Sequence, residues 1–271
     1  MKQFFLFTLL LLLNISTIVQ AFPKHNPVPG GICILNLAAA NSAKPRVTYQ
    51  GKPIAVVQQQ QQWKALIGIP LRAKVGSHEI LIRTANFPHP TTKNCQVKAK
   101  KYRSQHIKLK NKSQVNPKGK KLERILREMK LKKNLKQTFS ANPPSLDFIR
   151  PVKGRDNGRF GLKRFFNGQA RNPHSGMDIA APTGRAIKAS AAGKVIYTGN
   201  LFFSGNVVVV DHGQGLLSLY AHMSQIIARQ GQTIQQGTII GKVGKTGRAT
   251  GPHLHWSVYL NGNAVNPALF L

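Results

Sequence analysis

His253-Leu254-His255-Trp256-Ser257-Val258-Tyr259-Leu260 is the stretch on which the reading of this chain turns. Its β-branched and aromatic residues mark a strand, and side chains two apart on a strand share a face, so both imidazoles can enter one cavity. Paired histidines on a strand are more often ordinary half-buried polar groups, so the pattern needs support from elsewhere. The preceding loop, Gly244-Lys245-Thr246-Gly247-Arg248-Ala249-Thr250-Gly251-Pro252, supplies some, because its glycines let backbone approach a bound chain closely. More comes from His174-Ser175-Gly176-Met177-Asp178, where an imidazole and a carboxylate stand four apart. Two imidazoles and one carboxylate around a divalent metal, with a fourth position left to water, make a hydrolytic site rather than a structural one. Spacing alone does not say whether His253 or His255 is the ligand.

Strand-like runs continue outward from this stretch. Ala186 to Ala189, Gly193 to Tyr197, Asn206 to Val210, Leu216 to Tyr220 and Gly237 to Val243 are punctuated by Gly, Asn and Asp, with no long helical pattern among them. From residue 149 on, the chain reads as an all-β domain of antiparallel sheet flanking a groove. His222 ends the run Leu219-Tyr220-Ala221-His222 and is a further site candidate, and Tyr220 faces either the groove or the core. His212, in Asp211-His212-Gly213, reads as a hairpin turn residue outside the site. His78-Glu79 resembles the start of a zincin helix, but Ile82 stands where the second histidine is needed.

The N-terminal half has a different character. Ile32 to Leu37, Trp63 to Pro70 and His78 to Arg83 read as short strands of a small sandwich over residues 22–112, with Gln58 to Gln62 at a hairpin tip or loop. Between residues 98 and 136 sixteen Lys or Arg accompany only Glu123 and Glu128. Leu122, Ile125, Leu126 and Met129 recur there at helical spacing, so the spacing predicts a basic helix over 119–136 inside a linker of residues 113–148. Its apolar stripe is expected to pack on a neighbouring domain, and its charges either sit in water or attach to an anionic surface. Pro143-Pro144 closes the segment.

Composition sets the outer limits. The 271 residues allow about two domains. Lys2, the apolar run from Phe4 to Val19 and Ala21 form a signal-peptide pattern over residues 1–21. The alternative, an uncleaved anchor, is shorter than the roughly 20 apolar residues a span requires. No second segment of that kind follows, so the mature chain is expected to have no transmembrane helix and to be periplasmic or secreted. Cys33 and Cys95 permit one disulfide in an exported chain, with two buried thiols as the alternative. The net charge of +33 favours anionic polymers and envelope surfaces as partners. Nothing matches a nucleic-acid motif, and specific nucleic-acid binding is not expected.

Phe160-Gly161-Leu162-Lys163-Arg164, Asn167-Gly168-Gln169, His174 to Pro182, Tyr220-Ala221-His222, Gly231 to Gly247 and Thr250 to His255 together resemble the lysostaphin/LytM family of zinc peptidoglycan endopeptidases. The likeness covers roughly residues 150–271, with its motifs in the family order. The stretch Trp63 to Leu71 is similar, more loosely, to the immunoglobulin-like domain that precedes such peptidases in some Gram-negative bacteria. The resemblance implies that His174, Asp178 and His255 bind Zn2+ and that His222 and His253 are the catalytic histidines. The implied substrate is the stem or cross-bridge peptide of peptidoglycan, with the D-alanyl to diaminopimelate crosslink as the expected bond. A wall-binding relative that activates another hydrolase is the alternative, and the complete set of five positions favours an enzyme. Because all five lie in the C-terminal half, a chain cut to begin near residue 140 is expected to keep its activity or gain in it.

Overall fold

The computed structural model describes residues 22–85, 89–109, 111 and 114–271. The signal-peptide segment 1–21 and the boundary at residues 112 and 113 lie outside the described residues.

The N-terminal part is two small antiparallel sheets. One holds Ile32–Ala39, Gln62–Gly68 and Ala55–Gln59 in that spatial order, and the other holds Lys52–Pro53, Arg46–Tyr49, Gly76–Arg83 and Thr91–Val97. Among the described residues this is the B-E-D and C′-C-F-G order of an immunoglobulin-type sandwich. Cys33 and Cys95 are disulfide-bonded, joining the two sheets, with Val56, Ile67, Ile80 and Ile82 buried around them. The glutamine run is a hairpin in which Gln59 pairs with Gln62. Gln60 and Gln61 both have positive φ (50° and 58°), as a two-residue turn matched to strand twist requires.

The C-terminal part is built on a ten-stranded antiparallel sheet. Its path runs Thr233–Ile234, Gly193–Leu201, Gly205–Gly213, Leu216–Ile226, His253–Leu260, Met177–Ala180, Arg155–Gly158. Alternation assigns the faces. Leu254, Trp256, Val258 and Leu260 are fully buried in the main core, each contributing ~1.5–3 kcal/mol by its burial. His253, His255 and Ser257 therefore point the other way. Val207 to Val210 form a continuous apolar run because that strand is covered twice. Val208 and Val210 enter the main core, while Val207 and Val209 enter a second cluster closed by Leu131 and Leu135 of the helix.

That helix spans Lys120–Lys136, as its spacing predicts, but it does not bury the expected stripe. Leu122, Leu126 and Met129 are 42%, 56% and 60% exposed, and of the four only Ile125 is buried. The face turned to the sheet carries Ile125, Glu128, Lys132 and Leu135. Glu128 accepts the Phe202 N–H at 2.8 Å and Lys132 reaches Ser204 Oγ at 3.3 Å. Polar side chains that satisfy the strand end displace the more apolar stripe. The two halves of the chain also share structure: Ile32, Ala55, Val57 and Leu66 belong to the main core, and Ser104–Ile107 pairs in parallel with Lys163–Phe166.

Candidate active site

Sheet register brings the separated motifs together. Asp178 lies directly opposite His255 across the strand pair Met177–Ala180 and His253–Leu260, and Ala221 lies opposite His255 on its other side. Asp178 Oδ1 is 2.9 Å from His174 Nε2 and 2.8 Å from His255 Nδ1, and those two nitrogens are 3.0 Å apart. Two glycines permit this crowding. A Cβ on Gly158 would stand 2.5 Å from Asp178 Oδ2, and one on Gly176 would stand 2.4 Å from the Trp256 carbonyl and 2.9 Å from His255 Cε1.

The outer partners fix which nitrogens carry protons. His174 Nδ1–H donates to the Arg159 carbonyl at 2.8 Å, which leaves Nε2 bare. His255 Nε2 lies 2.9 Å from Ser257 Oγ, and with Nε2 as the donor there Nδ1 is left bare. Burial pushes the His255 imidazole down to about 4, so the ring is neutral. Two nitrogen lone pairs and an anionic oxygen thus converge with no proton among them to share. Such a set is complementary to a cation, and imidazole and carboxylate donors suit zinc.

His222 and His253 flank the trio. Their ring centroids are 4.7 Å apart, and His253 Nε2 is 3.9 Å from Asp178 Oδ1. His222 Nδ1–H donates to the Thr246 carbonyl and His253 Nδ1–H to the Gly251 carbonyl, each at 2.8 Å. Both rings therefore present bare Nε2 atoms. Burial, with His255 and His253 beside it, pushes His222 down to about 3. His222 does not end its strand, as the sequence suggests, but sits within Leu216–Ile226 at φ 64°. Register slips by one residue there, between the pairs Tyr220–Val208 and Met223–Asn206, and this bulge turns the side chain toward the site.

Of two residues outside the trio, Tyr220 takes the core alternative of its sequence reading and His212 departs from its own. Tyr220 is fully buried, and its hydroxyl accepts the Ser190 N–H at 2.8 Å and meets Ser218 Oγ at 3.0 Å, so it packs and does not face the groove. His212 is not a turn residue but a buried member of the strand Gly205–Gly213, 2.7 Å from both the Ala192 carbonyl and Ser218 Oγ. Sequence reasoning also passed over Arg164 and Arg248. The Arg164 guanidinium donates to Asp178 Oδ2 at 2.7 Å and to Gln105 Oε1 at 3.1 Å. Both arginines line a groove of about 350 Å³ with Asp178, His222 and His253. No spacing rule marks them, because the hairpin and loop that carry them meet only in the fold.

Residues 172–267 match peptidase family M23, and residues 25–100 match the N-terminal domain of that family. A solved structure described as a candidate M23 peptidase from Pseudomonas aeruginosa is 40% identical, covering 91% of this chain and 95% of that one with a TM-score of 0.76. Among curated relatives, the DD-carboxypeptidase/endopeptidase Mpg of Neisseria meningitidis is 46% identical over 94 residues, 35% of this chain and 22% of the relative. The peptidoglycan DD-endopeptidase ShyA of Vibrio cholerae is 43% identical over 94 residues, with the same two shares. The matched stretch thus spans about a fifth of the length of these curated relatives.

Proposed function

We propose that this chain, which belongs to peptidase family M23, is a zinc endopeptidase that hydrolyses peptide crosslinks of bacterial peptidoglycan, with the D-alanyl to diaminopimelate bond as its target. The observation that carries the reading is the convergence of His174 Nε2 and His255 Nδ1 on the Asp178 carboxylate, at 2.9 and 2.8 Å, beside the two further imidazoles of His222 and His253. His174, Asp178 and His255 would hold the metal. When bound, zinc supplies Lewis acidity toward a carbonyl oxygen and toward water.

The chain's own groups handle the protons. His253 Nε2 faces the trio and takes a proton from the attacking water. The Gly251 carbonyl holds the opposite nitrogen as a donor, so the proton can arrive only at Nε2. The protonated ring then donates to the departing amine. His222 starts neutral, because burial opposes its charge. Its bare Nε2, on a ring centred 4.7 Å from that of His253, offers a second acceptor for a proton released from the attacking water.

Placement in the envelope fits the wall-directed names of the relatives and the Cys33–Cys95 disulfide, which belongs to an oxidising compartment. The surplus of cationic side chains suits a glycopeptide bearing carboxylates. The deciding experiment is mass analysis of defined crosslinked muropeptide dimers incubated with the purified protein. Monomers should appear, vanish with a chelator, return with zinc and be absent for His174→Ala. Intact dimers in the presence of zinc-loaded protein would overturn the enzymatic reading and favour a wall-binding activator.

A further inference from the structure

We propose that Arg248 is the anchor for a carboxylate of the substrate, so that the groove selects peptides carrying a free carboxylate close to the bond being cut. This rests on the endopeptidase reading above and adds the chemical feature the groove recognises. The guanidinium of Arg248 is clamped between two aromatic faces, 4.2 Å from the centroid of Phe166 and 4.2 Å from that of Phe203. Such a clamp fixes the plane of the fork and removes most of its rotational freedom before a ligand arrives. One edge is occupied, since Nη1 donates to the Gln114 carbonyl at 3.1 Å.

What the clamped cation lacks is an anion. Among the described residues no carboxylate lies within ion-pair distance of Arg248, or of Arg171 nearby. Asp178 is the one acidic residue lining the groove, and His174, His255 and Arg164 already take both its oxygens. Burial, together with the charges of Arg164 and Arg171, brings the Arg248 guanidinium down to about 10, still charged at neutral pH. A half-buried arginine among like charges is an unfavourable arrangement unless something else neutralises it. The groove that it lines also holds His222 and His253, so the neutralising group is positioned as part of the molecule being cut. A planar fork suits the two oxygens of a carboxylate.

The crosslink assigned above has this feature, because the leaving amine carries its own α-carboxylate. The test uses two dimers that differ only there, one with the free carboxylate and one with the carboxamide. Zinc-loaded full-length protein should cut the acid with kcat/KM about 10- to 100-fold above the amide, the range expected for one charge-assisted bidentate contact. The ratio should collapse toward one in Arg248→Gln and recover in part in Arg248→Lys, which restores charge without the fork. Circular dichroism and zinc content identify a variant that has not folded, in which case Arg248→Lys alone carries the mutant arm.

Calorimetric binding of the same dimers separates this inference from the reading beneath it. Cleavage of both dimers at equal kcat/KM by the wild-type protein overturns the carboxylate anchor and leaves the endopeptidase intact. No cleavage, with the acid bound at least tenfold tighter than the amide and that preference lost in Arg248→Gln, sinks the enzyme and retains the anchor.

Discussion

Arg164 Nη2 lies 2.7 Å from Asp178 Oδ2, the carboxylate oxygen that His174 and His255 do not share. One guanidinium thereby orients the anion at the centre of the site and leaves Oδ1 pointing inward. Gln105 Oε1 holds the guanidinium in turn, accepting from Nε at 3.1 Å. Outer partners of metal-binding groups typically alter affinity by about 10- to 100-fold. Arg164→Met should therefore weaken zinc binding by about that factor, read by competition with a coloured chelator. Unchanged affinity would mean that the Asp178 carboxylate is held by its strand alone.

His253 and His255 are two residues apart but are expected to fail differently when replaced. His253→Ala removes a proton acceptor and leaves the trio intact, so zinc content should stay near one per chain while turnover falls about 10²- to 10⁴-fold. His255→Ala removes one of the three converging donors and should lose the metal together with activity. Zinc analysis after dialysis separates the two outcomes. A His253→Ala protein that emerges without metal would reverse the assignment.

The same pair shows how far sequence carries the argument. Alternation made both imidazoles legible on one face, and the order of apolar runs made the antiparallel sheet legible. Register was not legible: nothing in the chain says that Asp178 stands opposite His255, or that a one-residue slip turns His222 inward at φ 64°. The helix shows a second limit. Leu122, Leu126 and Met129 outscore Glu128 and Lys132 in hydropathy, yet the latter pair is turned to the sheet and half-buried, where its polar groups meet Phe202 and Ser204. Hydrophobic periodicity counts what avoids water and cannot count which backbone groups need partners.

His212 gives the fold a pH dependence with a definite sign. Burial pushes its imidazole down to about 4, against an ordinary value of 6.5. The unfolded chain therefore takes up a proton between those values that the folded chain refuses. The contribution is fully present above pH 6.5 and declines as pH falls toward 4, by about 3 kcal/mol. Denaturant melts of the wild type and of His212→Gln at pH 7 and pH 4.5 isolate this group, because other titrations are common to both. The gap between the two proteins should narrow by most of that amount at the lower pH. A constant gap would show that His212 is charged in the folded state or already neutral in the unfolded one.

Truncation tests whether the two halves are separable, and the packing argues against the expectation drawn from motif position. Ile32 and Leu66 are fully buried in the same core as Trp256 and Leu260. Gln214 Oε1 accepts the Val56 N–H at 3.0 Å, and Asn261 Oδ1 accepts the Gly68 N–H at 2.7 Å. A chain beginning at residue 140 would lose these hydrogen bonds, at about 0.5–1.5 kcal/mol each, and open the shared core to water. Loss of each large apolar side chain from the shared core adds about 2–5 kcal/mol. Together these terms reach the whole stability of a typical domain, about 5–15 kcal/mol. The truncated protein should therefore melt below 37 °C or aggregate, and lose activity through unfolding while its five site residues remain in place. Motif position pointed the other way because the site is built from one half of the chain while the core beneath it is built from both. A truncate that gives a cooperative melt and cuts dimers at the full-length rate would show that the C-terminal sheet closes its own core.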